Sequence, residues 1–403
     1  MKLPPLIVAV TGSNGKTSTT EYIAELAKKT GRTVITNYEG SNQTEGIVTL
    51  FIKNATLSGR VRADIAIIES DERYCQYTFS FFTPQCIVVT NLFRDQMTRN
   101  GHNEYVFDEL KKGLPVRATL ILNADDPLSS ALASGREDVI YFGIDPHIFG
   151  EEEREPVGND GSFCPVCTGV MKYSSRMMYH LGWYYCSSCG YARKKTKHSV
   201  TSLINDMIVI DGIYDVKPQM LNAMFASNVL AAFTVGVEVF KLSEETAGET
   251  LNGYILKNDR VVRFISGGHR GMFMLAKHEN TMAYNMTLRT IVKSRSKAKT
   301  VVIIFDQLSR KYTANDISWL WDVDFELLKD ECIKVIAVSG AFAYDLAVRL
   351  LAAGIGEDTI KIIPDIKTMT DSLPDIAVGE IFAMTCFTDV RKFMGRIERQ
   401  RKV

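Results

Sequence analysis

Thr11-Gly12-Ser13-Asn14-Gly15-Lys16-Thr17 follows directly on the apolar run Leu6-Ile7-Val8-Ala9-Val10 and runs into a helix-patterned stretch over residues 18–28. A buried strand, a glycine turn ending in Lys-Thr and then a helix is the layout of a phosphate-binding loop. The free backbone N–H groups at the helix start cradle phosphate oxygens, the Lys16 ammonium neutralises the terminal phosphates, and the Thr17 hydroxyl can ligate Mg²⁺. The nucleotide-binding candidates are therefore Gly12, Ser13, Asn14, Gly15, Lys16, Thr17 and Ser18. The usual G-x-x-x-x-G-K-[ST] pattern has a glycine where this chain has Val10; here the first glycine comes at Gly12. An ordinary glycine turn is the competing reading, but Gly-Lys-Thr at a strand-to-helix turn has few other uses, and the stretch reads as an ATP site.

A chain of 403 residues exceeds one typical domain and implies two or three. Lys plus Arg and Asp plus Glu are both 47, a balance that argues against a general binder of nucleic acid or acidic membrane. No apolar run approaches the roughly 18 residues of a membrane span. Met1-Lys2-Leu3-Pro4-Pro5 passes almost at once into the first strand, leaving no room for a signal peptide, so a cytoplasmic location is expected. No internal repeat or low-complexity tract is visible.

Beyond the first helix, residues 33–36 form a short strand leading into the polar Asn37-Tyr38-Glu39-Gly40-Ser41-Asn42, a ligand loop or a plain surface turn. Ala63-Asp64-Ile65-Ala66-Ile67-Ile68 reads as a buried strand ending in Glu69-Ser70-Asp71-Glu72. Acidic residues at a strand end beside a phosphate loop are placed to hold Mg²⁺, and Glu69 is the leading candidate; a solvated acidic turn would look similar. Cys86-Ile87-Val88-Val89-Thr90-Asn91 and Ala118-Thr119-Leu120-Ile121-Leu122-Asn123 are further strands, each ending in polar residues. Strands alternating with helices in this way describe a doubly wound α/β sheet with its ligand crevice along one edge.

Four of the eight cysteines are grouped as Cys164-Pro-Val-Cys167 and Cys186-Ser-Ser-Cys189, eighteen residues apart. Two Cys-x-x-Cys knuckles at that spacing suit four thiolates around one tetrahedral, structural Zn²⁺. Residues 171–183 between them read as a hairpin, and residues 151–160 as a linker into an insertion. Cys75, Cys86, Cys332 and Cys386 sit in apolar surroundings and read as core packing. The run Arg193-Lys194-Lys195 is too short for a nucleic-acid surface and reads as a solvated edge.

Residues 199–215 return to strands, with Asn205-Asp206 and Asp211-Gly212 as turns. A long helix follows over residues 219–237 and contains Asn228. From about residue 264 a second α/β layer begins, with strands over residues 300–305, 334–338, 361–363 and 380–384. Between the first two of these, Asn315 or Asp316 starts a helix through Glu326.

The loop T-G-S-N-G-K-T, then T-N-L-F-R-D-Q-M from Thr90 and L-N-A-D-D-P from Leu122, resemble in order the signatures of the Mur ligases and folylpolyglutamate synthase. N-Y-E-G-S-N, I-E-S-D-E, the four-cysteine ribbon, D-I-S-W-L-W-D-V-D-F-E from Asp316 and S-G-A-F-A-Y-D-L-A-V-R-L from Ser339 are similar to the MurT branch of that family. The resemblance runs from about Ile7 to the C-terminus. It implies an α/β chain with a P-loop Mur-ligase central domain over residues 1–262 and a zinc ribbon inserted at 159–195. A Rossmann-like α/β C-terminal domain of MurT type would follow over 263–403. It implies ATP-dependent amidation of the D-glutamate of lipid II, with ammonia from a class I, GatD-like glutaminase in a heterodimer, and membrane contact through lipid II only. None of the cysteines lies in a G-x-C-x-G-type nucleophile elbow, in keeping with a separate glutaminase subunit.

By the same resemblance Lys16 and Glu69 are catalytic, Thr17 and Glu69 hold Mg²⁺, Asn228 reaches the adenine, Arg260 contacts ribose and phosphates, and Asp316 completes the partner's Cys-His pair. From the residues alone Asn228 is a helix-surface amide and Asp316 a loop acid or helix N-cap. The chain departs from the family pattern at Asn222, Phe225, His278-Glu279, Asp306-Gln307 and Phe342. A stand-alone amino-acid ligase of the Mur or folylpolyglutamate type, and a nucleotide-binding paralogue without catalysis, stay open as alternatives.

Overall fold

The computed structural model describes residues 1–37, 41–96, 100–150, 160–257, 261–276, 279–306, 316–386, 392–395 and 397. The chain falls into two compact units, Met1–Phe93 with His102–Asn258, and Arg94–Gly101 with Asp259–Val403.

The first unit is built on short strands, the central ones with apolar runs buried on both faces as a parallel sheet requires and the edge one half-buried. These are β1 (Leu6–Thr11), β2 (Val34–Thr36), β3 (Ile65–Glu69), β4 (Cys86–Val89), β5 (Thr119–Asn123) and β6 (Val139–Ile144). They lie side by side in the order β6-β5-β4-β1-β3-β2, all parallel. The chain leaves β1 toward β2 but leaves β3 to cross over to β4, so the direction of winding reverses at the β1–β4 pair. Ligands of open α/β sheets bind outside the carboxyl ends of strands at such a switch point.

A separate antiparallel hairpin, β7 (Met171–Met178) with β8 (Leu181–Cys186), carries the expected ribbon. After it β9 (His198–Ile204) joins β6 in parallel, and β10 (Met207–Ile210) and β11 (Tyr214–Val216) continue the sheet antiparallel. The helix Ala223–Glu238 is buried over nearly its whole length, as its apolar composition on every side dictates. It packs on the helix Lys16–Lys28. Asn222, one of the departures from the family pattern, caps it by accepting from Phe225 N at 2.9 Å.

In the second unit the hairpin of β12 (Val261–Ser266) and β13 (His269–Ala276) leads to β14 (Lys299–Ile304), β15 (Ile333–Ser339), β16 (Ile360–Ile362) and β17 (Glu380–Cys386). The sheet order is β12-β13-β17-β14-β15-β16, parallel from β13 onward. Side chains alternate across it: Val301 and Ile303 face the helices Thr281–Lys293 and Ala343–Ala352, while Val302 and Ile304 face Ile366–Ile376. The segment Arg94–Gly101 is tied to this unit because Asp95 accepts from Asn280 Nδ2 at 2.8 Å and Gln96 N donates to Glu279 O at 3.1 Å.

The single helix expected through Glu326 is instead two 3₁₀ turns, Ser318–Asp322 and Phe325–Lys329. Trp319, Leu320, Val323, Phe325 and Leu328 are all buried in one core, and that spacing cannot lie on one helical stripe. Arg349 meets the backbone carbonyls left by the break, donating to Leu320 O at 3.2 Å and Val323 O at 2.7 Å, with Glu326 as its counter-ion at 3.0 Å. Asn285 Oδ1 accepts the freed Asp324 N–H at 2.7 Å.

Candidate nucleotide site and metal ribbon

β1 delivers the loop into the crevice, and its two glycines are there for space as well as for conformation. Gly12 has φ +125°, and a Cβ on it would lie 2.3 Å from Thr90 Oγ1 and 2.8 Å from Asn91 O. Gly15 has φ +81° and the Asn228 carboxamide directly against it. Both are places where only glycine lets the backbone come so close.

The end of β4 frames the loop. Ser13 N donates to Asn91 O at 2.8 Å, Asn14 N to Asn91 Oδ1 at 3.0 Å, and Asn91 Nδ2 returns a bond to Asn14 O at 3.1 Å. Thr90 Oγ1 also donates to Asn14 O, at 2.6 Å. Ser13 Oγ accepts from Phe93 N and donates to Phe93 O, both at 2.9 Å. The N–H groups of Ser13 and Asn14 are thus committed inward and shape the loop. Thr19 N, bonded to Gly15 O, opens the helix, and the N–H groups just ahead of it are the helix-end donors suited to an anion. Ser18 lies in that first turn, partly buried.

The acidic end of β3 faces the loop from the other side. Thr17 Oγ1 donates to Glu69 Oε2 at 2.8 Å, and Asn42 Nδ2 holds Glu69 Oε1 at 2.9 Å. Asn37 braces the Glu69 backbone on both sides, at 2.8 and 2.9 Å. The hydroxyl and the carboxylate named for Mg²⁺ are therefore adjacent, and one hard oxygen from each is the donor set a magnesium ion takes beside phosphates. Lys16, 4% exposed, bonds Gly12 O and pairs with Glu72 Oε1 at 2.7 Å. Glu72, read in the sequence only as part of an acidic run, is the counter-ion of the loop lysine. No local pattern announces a pairing across 56 residues.

Asn228 is buried in the helix Ala223–Glu238, and its Oδ1 finds no hydrogen-bond partner. Instead of a helix-surface amide it is a wall of the loop. Arg260 and Asn315 lie outside the described residues. Asp316 belongs to the second unit, where it is exposed. Ser318 N donates to its carboxylate at 2.8 Å and holds it below the usual carboxylate range.

The four cysteines of the ribbon converge. Their sulfurs all lie within 4.8 Å of one another, with Cys164–Cys189 at 3.7 Å and Cys167–Cys186 at 3.6 Å. These spacings are far too long for disulfides, and they match the ~3.8 Å edge of a tetrahedron with Zn–S bonds of about 2.3 Å. Backbone N–H groups of Cys189 and Ser188 draw the Cys186 thiol down to about 6, while burial raises that of Cys164 and the neighbouring cysteines outweigh the Gly169 N–H to raise that of Cys167. The donor set fits Zn²⁺.

The ribbon is anchored on the sheet. Arg193, expected on a solvated edge, is instead turned inward. Its Nε donates to the buried Asp125 carboxylate at 2.8 Å, and its guanidinium lies 4.3 Å from the Trp183 ring centroid. The sequence showed a basic run but not the buried acid that one member of it serves. Burial pushes the Asp125 carboxyl up, and Arg193 offsets part of that shift. Lys194 and Lys195 are exposed, as expected.

Residues 10–178 match the Mur ligase middle domain, and residues 277–389 match the MurT ligase C-terminal domain. The chain is 30% identical over 396 residues to a protein of Staphylococcus aureus strain COL, "Lipid II isoglutaminyl synthase (glutamine-hydrolyzing) subunit MurT", covering 98% of this chain and 87% of that one. It belongs to the MurT family. A MurT of Streptococcus pneumoniae strain R6 is 27% identical, over 96% of this chain and 86% of its own. The fold is that of the Mur ligases. A pseudomurein peptide ligase type C from Methanothermus fervidus superposes with TM-score 0.72 at 20% identity, covering all of this chain and 80% of that one. MurF from Thermotoga maritima in complex with ADP gives 0.63 at 16%, over 100% and 82%. As a MurT-family member the chain is an ATP-dependent ligase of Mur type.

Proposed function

We propose that this chain is the ligase subunit of an enzyme that amidates the D-glutamate α-carboxylate of lipid II to D-isoglutamine. The observation that carries the reading is the likeness to two MurT subunits of lipid II isoglutaminyl synthase, which extends over nearly the whole chain.

In this reading a carboxylate oxygen of the substrate attacks the γ-phosphorus of ATP, and the bond to ADP breaks, leaving an acyl phosphate. Ammonia then attacks the acyl carbon, phosphate departs with its oxygen, and the nitrogen sheds a proton to leave the carboxamide. The helix-end N–H groups and Lys16 hold the phosphates and draw off charge as the γ-group moves. Thr17 and Glu69 would hold a Mg²⁺ ion, which would supply charge neutralisation to the phosphates. Asn228 is the asparagine assigned to the adenine, and Arg260, by its place in the sequence, is assigned to the ribose and phosphates. The reading keeps a central domain over 1–262 and a C-terminal domain over 263–403, a boundary four residues beyond that of the compact units and inside β12, with a structural zinc in the insertion at 159–195. A class I, GatD-like glutaminase supplies ammonia in a heterodimer, and Asp316, exposed and ionised, orients that partner's catalytic histidine. Work at the inner face of the membrane follows from a lipid-borne substrate.

The test is to purify the chain with the glutaminase that co-purifies with it and incubate with lipid II, MgATP and glutamine, reading the product by mass spectrometry. Amidated product is expected. Asp316→Asn should abolish it with glutamine and leave it intact with ammonium chloride. Ligation of a free amino acid without any glutaminase would replace this reading with a stand-alone ligase. ATP binding without acceptor-dependent ADP release would replace it with a non-catalytic paralogue.

A further inference from the structure

The ribbon reaches the back of the phosphate loop through the tip of its hairpin. Tyr179 and His180 form the tip, Tyr179 in the left-handed region at φ +52°. His180 is fully buried, with its Nε2 3.4 Å from Asp126 Oδ1 and its ring centroid 4.5 Å from that of Phe93. Neither ring nitrogen makes a hydrogen bond among the described residues, so Nε2 meets Asp126 as a charge contact only, an expensive arrangement for a core side chain. Asp126, also fully buried, accepts from Leu92 N at 2.7 Å and Leu128 N at 3.0 Å, so it fixes the backbone immediately before Phe93. Phe93 in turn clamps Ser13 by the two bonds to its hydroxyl. A continuous line of contacts thus runs from the hairpin tip through Asp126 and Phe93 to Ser13 of the phosphate loop.

The hairpin is weak by itself. Among the described residues it has two strands, with β8 bridged on its other edge just at Tyr185–Ala192, and a small core of Cys164, Met171, Tyr184 and Cys186 with Tyr173 and Tyr191 against it. Two-stranded units of this size depend on a staple, and the four converging cysteines are placed to provide one by holding an ion.

We propose that His180 is a positioning residue for the phosphate loop, and that metal occupancy of the four-cysteine site sets nucleotide affinity through it. The proposal rests on the reading of the loop as a nucleotide site. With the tip in place, Phe93 is covered and Asp126 has a partner. Without it, the buried carboxylate keeps its two backbone donors but loses its cationic neighbour, Phe93 is uncovered and shifts, and the clamp on Ser13 loosens.

The experiment uses the full chain and a fluorescent ATP analogue with Mg²⁺, comparing zinc-loaded protein, protein stripped by chelator and then dialysed, and the variants His180→Ala and His180→Gln. Metal content and circular dichroism are recorded for each. The wild-type zinc-loaded chain should bind the analogue; if it does not, the nucleotide reading itself fails. Stripping zinc and His180→Ala should each weaken binding roughly ten-fold, as loss of loop preorganisation does. The two together should cost no more than either alone. His180→Ala should retain its zinc, and His180→Gln, with a donor near the Nε2 position, should recover most of the affinity. Unchanged affinity after stripping, or additive losses, would overturn the proposal. If His180→Ala does not fold, Phe93→Leu takes its place, with the same ten-fold loss and the same non-additivity with stripping required.

Discussion

The carboxamide oxygen of Asn228 lies 2.1 Å from the point that a Cβ on residue 15 would occupy. Gly15→Ala therefore meets two obstacles: a left-handed backbone that costs an L residue about 1–2 kcal/mol, and a collision with Asn228. Nucleotide affinity should fall ten-fold or more on the order of these costs. Adding Asn228→Gly to Gly15→Ala should restore part of the loss, because it removes the collision and leaves the backbone strain. A double-mutant cycle read by equilibrium nucleotide binding measures the two contributions separately; strictly additive losses would mean that the side chains do not meet.

Thr17 and Glu69 share one hydrogen bond, and both are named for the same ion. Thr17→Val and Glu69→Gln should each reduce Mg²⁺-dependent ATP turnover by roughly a hundred-fold, and the double variant should lose little more than either single one. A Mg²⁺ titration at fixed ATP checks this. A fully multiplicative loss would show that the two residues act independently.

Glu72→Gln leaves the buried Lys16 ammonium without its 2.7 Å counter-ion. Breaking such a buried pair from one side costs about 3 kcal/mol. Thermal unfolding should therefore shift down in the nucleotide-free chain, and saturating MgATP should recover much of the shift by bringing phosphate charge to Lys16. An equal destabilisation with and without nucleotide would remove Lys16 from the phosphate site.

His198 is buried between Asp211, 2.6 Å from Nδ1, and Glu238, 3.1 Å from Nε2. Burial alone would lower its pKa, but the two carboxylates outweigh it and hold the imidazolium above the ordinary 6.5. A raised folded pKa means that the stabilisation is full below about 6.5 and is lost as pH rises through the folded value. Melting temperature should decline with rising pH across that window, and His198→Asn should flatten the decline. An identical pH profile for the variant would discount the pair.

The loop, the alternation of strands and helices around it and the cysteine ribbon were legible because each rests on a local pattern: glycines at fixed offsets, apolar runs ending in polar residues, and paired Cys-x-x-Cys. What stayed hidden depends on distant segments meeting. Glu72 sits in a run of acids, and only the fold chooses it for Lys16. Arg193 stands in a basic run, and only the buried Asp125 turns it inward. Asp316 to Glu326 carries good helix signals, yet the burial of both Trp319 and Phe325 breaks it, and Arg349 from another element makes the break tolerable. Asn222 looked like a lost glycine and turned out to be a helix cap, a role its side chain could have announced.

The two parallel neighbours β6 and β9 are joined through the ribbon. Parallel strands demand a crossover, which an ordinary α/β protein fills with a helix that forms quickly by itself. In this chain the crossover is the ribbon itself, and closing it costs the entropy of a long loop before β9, β10 and β11 can dock. An ion held by the four cysteines would shorten that loop by tying Cys164 to Cys189. Refolding with zinc should therefore complete the sheet sooner than refolding with a chelator, which leaves the edge of β6 open to pairing with other chains for longer.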